Sequence, residues 1–143
     1  MYPHERSLVR LLADKPFAII GVNSDKAGVA EEACETKNLS WSSFTNVQDD
    51  KKISDDWKIA GWPTTFLIDK DGIIRYKGLR GDALDSAIEK LMAEMDIEVK
   101  LAGVDHEAED KKAMEAFEKA KKATEVTAAE TPSNAKDVVA TDK

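Results

Sequence analysis

The sequence predicts an α/β domain, in which a mixed sheet is flanked by helices. Residues 17–22, Phe-Ala-Ile-Ile-Gly-Val, form a nearly continuous apolar run, which is typical of a strand covered on both faces. Residues 64–68 and 73–77 are two strand-like segments, and the Asp-Lys-Asp-Gly turn between them indicates a β-hairpin. Segments with helical spacing of apolar residues lie before, between and after these strands, as an α/β class requires.

Each element rests on a local pattern. The leucines of the first segment recur at helical spacing, and Pro3 is tolerated in a first turn because its missing N–H has no partner there. Asp82 suits an N-cap position, and Asp85 in the following turn favours the positive end of a helix. The predicted order is helix 3–14, strand 17–22, helix 26–37, short strand 41–44, helix 50–59, strands 64–68 and 73–77, and a helix begun by Asp82 with its apolar stripe at Leu84, Ala87, Ile88, Leu91 and Met92.

Composition divides the 143 residues near position 96. All three tryptophans lie before that position, whereas residues 97–143 are charged and contain one aromatic residue, Phe117. We therefore predict a domain at 1–96 and a charged tail at 97–143. The tail is expected to be helical over 105–126 and disordered from about 127, where apolar residues are too few to offset the entropy of ordering.

Charge and hydropathy exclude several classes of partner. The formal net charge is −7 and both parts of the chain are acidic, so neither nucleic acid nor an anionic membrane is an expected partner. No apolar run is long enough to span a bilayer, and the first residues lack the pattern of a secretion signal. The chain as written is therefore expected in the cytoplasm.

The single cysteine and two histidines offer little for covalent or metal chemistry. Cys34 lies in the middle of a predicted helix on its apolar stripe, so we expect it to be buried. His4 is expected to be solvated on the polar side of the first helix, and His106 is far from it in sequence, so no structural zinc cluster is predicted. Asp69 and Asp71 resemble a carboxylate pair, but turn chemistry explains both.

The Gly61-Trp62-Pro63-Thr64 segment, directly before the hairpin, is the most informative part of the sequence. By itself it indicates a rigid loop, because Pro63 cannot donate to a strand ladder. Together with the run 17–25 and the hairpin, however, it resembles the thioredoxin fold. The closer likeness is to thiol-disulfide oxidoreductases of the TlpA/ResA and redoxin (alkyl hydroperoxide reductase/thiol-specific antioxidant) type.

The resemblance carries both a site and a departure from the family. It implies that Gly61, Trp62, Pro63 and Thr64 form a cis-proline loop, which faces the redox cysteines and binds substrate. Members of the family carry a Cys-x-x-Cys pair, and here both cysteines and the first, central strand would lie before Met1. No residue of this chain is therefore a predicted catalytic residue, and the domain resembles an N-terminally truncated thioredoxin-like fold.

Two hypotheses about function follow. In the first, the chain belongs to a thiol-disulfide oxidoreductase whose full-length parent, as the resemblance implies, exchanges dithiols and disulfides without a metal or organic cofactor. Its compartment is periplasmic or otherwise extracytoplasmic if a signal precedes it. The chain as given is then redox-inactive. In the second, it is a redox-inactive thioredoxin-like module that binds a protein or peptide through the Trp62-Pro63 loop. The coding sequence upstream of Met1 separates the two hypotheses.

Overall fold

The computed structural model describes residues 2–25, 27–48 and 51–129. The described residues fall into two units, the first up to Asp110 and the second from Lys111 onward. The described elements are α1 (Tyr2–Leu11), β1 (Ile20–Asn23), α2 (Ala27–Thr36), β2 (Ser42–Thr45), β3 (Val47–Gln48), β4 (Lys51–Lys52), α3 (Ile53–Asp56), β5 (Phe66–Ile68), β6 (Ile74–Lys77), α4 (Asp82–Ala93) and α5 (His106–Ala129).

The core of the first unit is made by its helices. Leu8 of α1 and Leu12, directly after it, meet Ile88 and Met92 of α4, because residues four apart lie on one helical face. Leu101, from the segment after α4, completes the cluster. The buried members are Leu8, Leu12, Ile88, Met92 and Leu101. The apolar stripe predicted for α4 is confirmed, with Leu84 partly buried against the cluster.

The start of α4 differs from the prediction in one residue. Gly81, not Asp82, is the N-cap residue, with φ of 52° in a region that favours glycine. Asp82 is the first helical residue. Asp85 lies in the first turn, as predicted, but it is 2% exposed, so its carboxylate lies inside the unit.

The described strands form three two-stranded sheets: β1 with β2, β3 with β4, and β5 with β6. The predicted hairpin is confirmed, since β5 and β6 are antiparallel with Leu67 opposite Tyr76. Its turn is built as expected: Asp69 Oδ1 accepts hydrogen bonds from the Asp71 and Ile73 amides, each at 3.0 Å, and Gly72 has φ of 81°.

The prediction for β1 was wrong in its burial. The strand begins at Ile20, not Phe17, and Ile20 is 67% exposed instead of covered on both faces. The apolar run does form a strand, in parallel with β2. Among the described residues, however, it has a partner on one edge only, and an apolar run predicts burial only if the chain supplies a covering element.

The segment predicted as helix 50–59 is mostly not helical. The helix α3 covers only Ile53–Asp56, and residues 51–52 pair with 47–48 instead. Asn46 fixes the start of this helix: its Oδ1 accepts the Ser54 amide at 2.8 Å, and its Nδ2 donates to Ser54 Oγ at 3.1 Å. The apolar spacing of Ile53 and Trp57 was therefore an insufficient signal for a long helix.

Residues after α4 also contribute to the first unit. The Glu89 carboxylate accepts the Leu101 and Ala102 amides, and Asp110 in the first turns of α5 bonds Arg6 on α1, with Arg6 Nε donating to Asp110 Oδ1 at 2.9 Å. The boundary predicted near residue 96 stays a prediction. The helix predicted at 105–126 is present, it includes 127–129, and the rest of the segment predicted as disordered lies outside the described residues. None of the described helices is long and apolar enough to cross a membrane.

Candidate functional site

A cleft of about 980 Å³ lies in the first unit, bounded by strands of two different sheets. β1 forms one wall and β5 another, while Leu84, Ile88 and Met92 of α4 line it from the core. All three tryptophans of the chain, Trp41, Trp57 and Trp62, also line the cleft. Its lining is therefore largely apolar and aromatic, which is the usual composition of a ligand pocket.

The two strands that bound the cleft each have an open edge. In the part of the chain that the structure describes, β1 pairs only with β2, and β5 pairs only with β6. Strand edges without a partner present backbone N–H and C=O groups that can pair with another strand. Residues of both strands line the same cleft, so a segment bound there would lie beside both strands.

The predicted binding loop lies at this cleft. Trp62, Pro63 and Thr64 line it, whereas Gly61 is not among the lining residues. The Trp62–Pro63 bond is cis, as the resemblance implies, and Trp62 is 48% exposed. Two hydrogen bonds hold the loop: Thr64 Oγ1 donates to the Gly61 carbonyl at 2.6 Å, and Arg80 Nη2 donates to the Pro63 carbonyl at 2.6 Å.

Cys34 lies at the same cleft, which corrects the prediction that it is a buried core residue. The thiol belongs to a half-buried residue on α2, and it lines the cleft with Ala33. Val29, on the same predicted stripe, is 54% exposed. Part of the stripe therefore borders the cleft and part is exposed, and no element in the described part of the chain covers it.

Glu5 contributes an ionisable group to the lining. Burial raises the pKa of its carboxyl above the usual value, although His4 and Arg80 act in the opposite direction. By contrast, the hydrogen bonds from the backbone amide of Ile73 and from the Arg75 guanidinium lower the pKa of Asp69, whose carboxylate holds the hairpin turn.

A second polar cluster joins three residues that are distant in sequence. His4 Nε2 lies 2.8 Å from Asp85 Oδ1, and His106 Nε2 lies 3.1 Å from Asp85 Oδ2. The two imidazole rings are 4.3 Å apart in an edge-to-face arrangement, and His106 Nδ1 lies 2.9 Å from Ser7 Oγ. The prediction of a solvated His4 was wrong, since its side chain is 18% exposed and bonded to Asp85.

Sequence reasoning missed this cluster, although part of the signal was present. His4 lies four residues before Leu8, and Asp85 lies three before Ile88, so each shares a helical face with a core residue. Helical phase therefore indicates that both side chains point toward the core. Nothing in the sequence shows that α1 and α4 bring those faces together, nor that His106 joins them.

Comparison with known proteins supports the expected fold and family. The model of the AhpC/TSA family matches residues 2–77, which is more than half of the chain. No curated protein sequence matches. One solved structure matches: the C-terminal domain of a Bacteroides thetaiotaomicron protein that is named as a candidate thiol-disulfide oxidoreductase. Its sequence is 21% identical, the TM-score is 0.58, and the match covers 65% of each chain.

These findings agree with the geometry of the sheets and the cleft loop. The structural match shows that the fold is thioredoxin-like, and the chain spans about two thirds of the matched structure. The family model covers β1, β5, β6 and the Trp62–Pro63 loop, which are the elements that carry the resemblance. The chain belongs to the AhpC/TSA family of thioredoxin-like redoxins.

Proposed function

We propose that this chain binds an extended segment of a protein or peptide in the cleft between β1 and β5, and that the chain as given does not itself catalyse disulfide exchange. The observation that carries the proposal is that two strands, each with an open edge, border one apolar cleft. An added strand satisfies such edges with backbone hydrogen bonds, while pockets for alternate side chains provide selectivity.

The lining supports an occupant with apolar side chains. Ile20 is 67% exposed at one wall, and Trp57 and Trp62 are 41% and 48% exposed at the cleft. Large aromatic surfaces that remain exposed around a concavity are typical of binding sites, because their burial on binding is favourable. The net charge of −7 favours a neutral or basic segment over an acidic one.

Gly61, Trp62, Pro63 and Thr64 are proposed as the substrate-binding loop, with unequal contributions. Trp62 offers an exposed indole and Pro63 and Thr64 line the cleft, whereas Gly61 acts through its carbonyl, which accepts the Thr64 hydroxyl. The Arg80 bond to the Pro63 carbonyl holds the loop against the end of the hairpin. Removal of the Trp62 indole should therefore weaken binding most.

Redox inactivity is supported by the thiol inventory. Exchange through a mixed disulfide requires an activated thiolate and, for turnover, a second thiol that resolves the intermediate. The chain contains one cysteine, and Cys34 lies in the middle of α2 instead of at a helix N-terminus. In an insulin-reduction assay with dithiothreitol, we expect the rate of the reductant alone. A higher rate that is lost in Cys34→Ser would refute this part of the proposal.

Binding can be measured with a short acetylated peptide of alternating valine and threonine that carries a lysine at each end. Because all three tryptophans line the cleft, we expect saturable quenching or a shift of tryptophan emission. A peptide with the same side chains but N-methylated alternate amides is the matched control, since it cannot donate hydrogen bonds along one edge. Equal affinity of the two peptides would contradict strand addition.

Two single-residue variants test whether the peptide binds at the cleft. Trp62→Ala should weaken binding of the unmethylated peptide about tenfold or more, as expected for an aromatic anchor. Phe117→Ala truncates an aromatic residue that is 45% exposed and lies outside the cleft lining, so it should leave binding unchanged. Equal losses in both variants would place the contact elsewhere.

A second candidate function is favoured by the name of the matched structure. If a longer protein supplies a strand and a Cys-x-x-Cys pair, the same cleft holds that strand and the longer protein catalyses dithiol-disulfide exchange. The coding sequence upstream of Met1 tests this candidate. An in-frame strand followed by Trp-Cys-x-x-Cys supports it, and an intervening stop codon supports the binding module.

A further inference from the structure

We infer that His4, Asp85 and His106 form a binding site for a divalent transition-metal ion of the Zn²⁺ type. The site lies outside the cleft lining and is independent of the proposed peptide binding. It is assembled by α1, α4 and the first turn of α5. Each residue offers one ligand atom, and these three atoms lie within 4.8 Å of one another.

The distances suit a metal with short bonds. With metal–ligand bonds of about 2.0 to 2.2 Å, neighbouring ligand atoms of a tetrahedral site are separated by roughly 3.4 Å. The two contacts from Nε2 to the Asp85 carboxylate are 2.8 and 3.1 Å, slightly inside that separation. A bound ion therefore requires side-chain movements on the order of 1 Å and no change in the helices.

The site is shielded from water on most sides and open to solvent on one. Asp85 and His106 are 2% and 8% exposed, so the carboxylate is largely shielded from water. The His4 side chain is 18% exposed, which leaves one side open. Three protein ligands with an open fourth position, filled by water, are a common arrangement for Zn²⁺ in proteins.

The surroundings of His106 match those of metal-bound histidines. A ligating imidazole usually donates its other N–H to an oxygen, which fixes the ring and its tautomer. The buried Ser7 hydroxyl lies 2.9 Å from His106 Nδ1, on the side of the ring opposite the Nε2 that faces Asp85. The edge-to-face contact with His4 also restrains this ring.

The donor set selects the class of ion. Two imidazole nitrogens and one carboxylate oxygen suit Zn²⁺ and neighbouring transition metals, whereas Ca²⁺ and Mg²⁺ prefer more oxygen ligands. The competing interpretation is a metal-free cluster, in which each Nε2 donates a hydrogen bond to the Asp85 carboxylate. A cluster held by hydrogen bonds alone would have no affinity for Zn²⁺, so a titration distinguishes the two.

The experiment is calorimetric titration of the full chain with ZnCl₂, without an affinity tag and with Cys34→Ser, since a thiolate would bind the metal on its own account. We expect one Zn²⁺ per chain, and much weaker binding of Ca²⁺. Asp85→Asn and His106→Gln should each lower the Zn²⁺ affinity by about tenfold to 100-fold or more. Asp82→Asn, which removes the same charge from an exposed residue of the same helix, should leave it unchanged.

A second measurement needs no variant at the site and therefore holds even if those variants misfold. The chain contains only two histidines, so imidazole ¹⁵N spectra show two rings. Zn²⁺ should shift Nε2 of both rings and leave the proton on Nδ1 of His106. Absence of Zn²⁺ binding, or binding that leaves both rings unshifted, would overturn the inference, as would equal affinity of Asp85→Asn and Asp82→Asn.

Discussion

The helices and the strands of the first unit differ sharply in how they are packed. The five buried members of the helical cluster, which include Leu8 and Leu101, are at most 3% exposed. In the sheets, Ile20, Phe44 and Ile74 are 67%, 56% and 50% exposed. The comparison indicates that α1, α4 and the segment up to Asp110 stabilise the unit, while several large side chains of the strands remain exposed.

Polar groups follow the same division. On the helical side, Arg6 and Asp110 are 9% and 3% exposed and bonded to each other, and Arg10 Nη2 donates to Asp110 Oδ1 at 2.7 Å. On the strand side, Arg75 bonds Asp69 and Glu94 at the surface. Buried pairs are costly to break and exposed pairs are not, so substitutions can test the comparison.

The largest expected effect is that of Asp110→Ala. This variant leaves the buried Arg6 guanidinium without its carboxylate, and loss of one partner of a buried pair costs about 3 to 5 kcal/mol of unfolding free energy. Asp14→Ala breaks an exposed pair with Lys15 at 3.1 Å and serves as the control, with no measurable change expected. The stability of both variants is measured by urea denaturation. Equal midpoints for the two variants would contradict the comparison.

A packing variant of α1 should have a slightly smaller effect. Leu8→Ala opens a cavity in the helical cluster and should cost about 2 to 5 kcal/mol. Leu11→Ala removes the same atoms from a residue that is 41% exposed, so its effect should be much smaller. Similar losses from both variants in thermal or urea unfolding would show that α1 does not pack by the face described.

Substitutions in the strands should change the association of the chain more than its stability. Open edges pair with other chains, so we expect concentration-dependent oligomers in sedimentation velocity. Ile20→Lys places a charge at the cleft edge and should reduce the oligomers with little change in stability. Ile74→Lys makes the same change at an exposed residue of β6 that does not line the cleft, and an equal reduction there would contradict the role of the β1 edge.

The smallest effect concerns Glu5. Burial raises its pKa in the folded state, so the protonated form favours folding below the unfolded value and this contribution is lost as pH rises through the folded pKa. Glu5→Gln should therefore raise the unfolding midpoint at pH 7, and the gain should vanish near about pH 4. A gain that is independent of pH would show that burial of the charge is not its cause.

Local signals account for what the sequence predicted well. The hairpin follows from Asp69 and Gly72, and α4 follows from an apolar stripe with a glycine-preceded start, so both depend on neighbouring residues only. The burial of β1 and of Cys34 was predicted wrongly because it depends on a covering element elsewhere in the chain. His4, Asp85 and His106 were missed for the related reason that helix packing, not spacing, brings them together.

Hydrogen–deuterium exchange of the unaltered chain, with and without the alternating valine–threonine peptide, tests the central claim most directly. If the peptide adds a strand between β1 and β5, exchange should slow at amides of both strands, 20–23 and 66–68, and remain unchanged in α5. The N-methylated peptide can donate hydrogen bonds along one edge only, so it should slow exchange in at most one of the two strands. Saturating peptide that slows exchange in neither strand, or in helices only, would contradict the account.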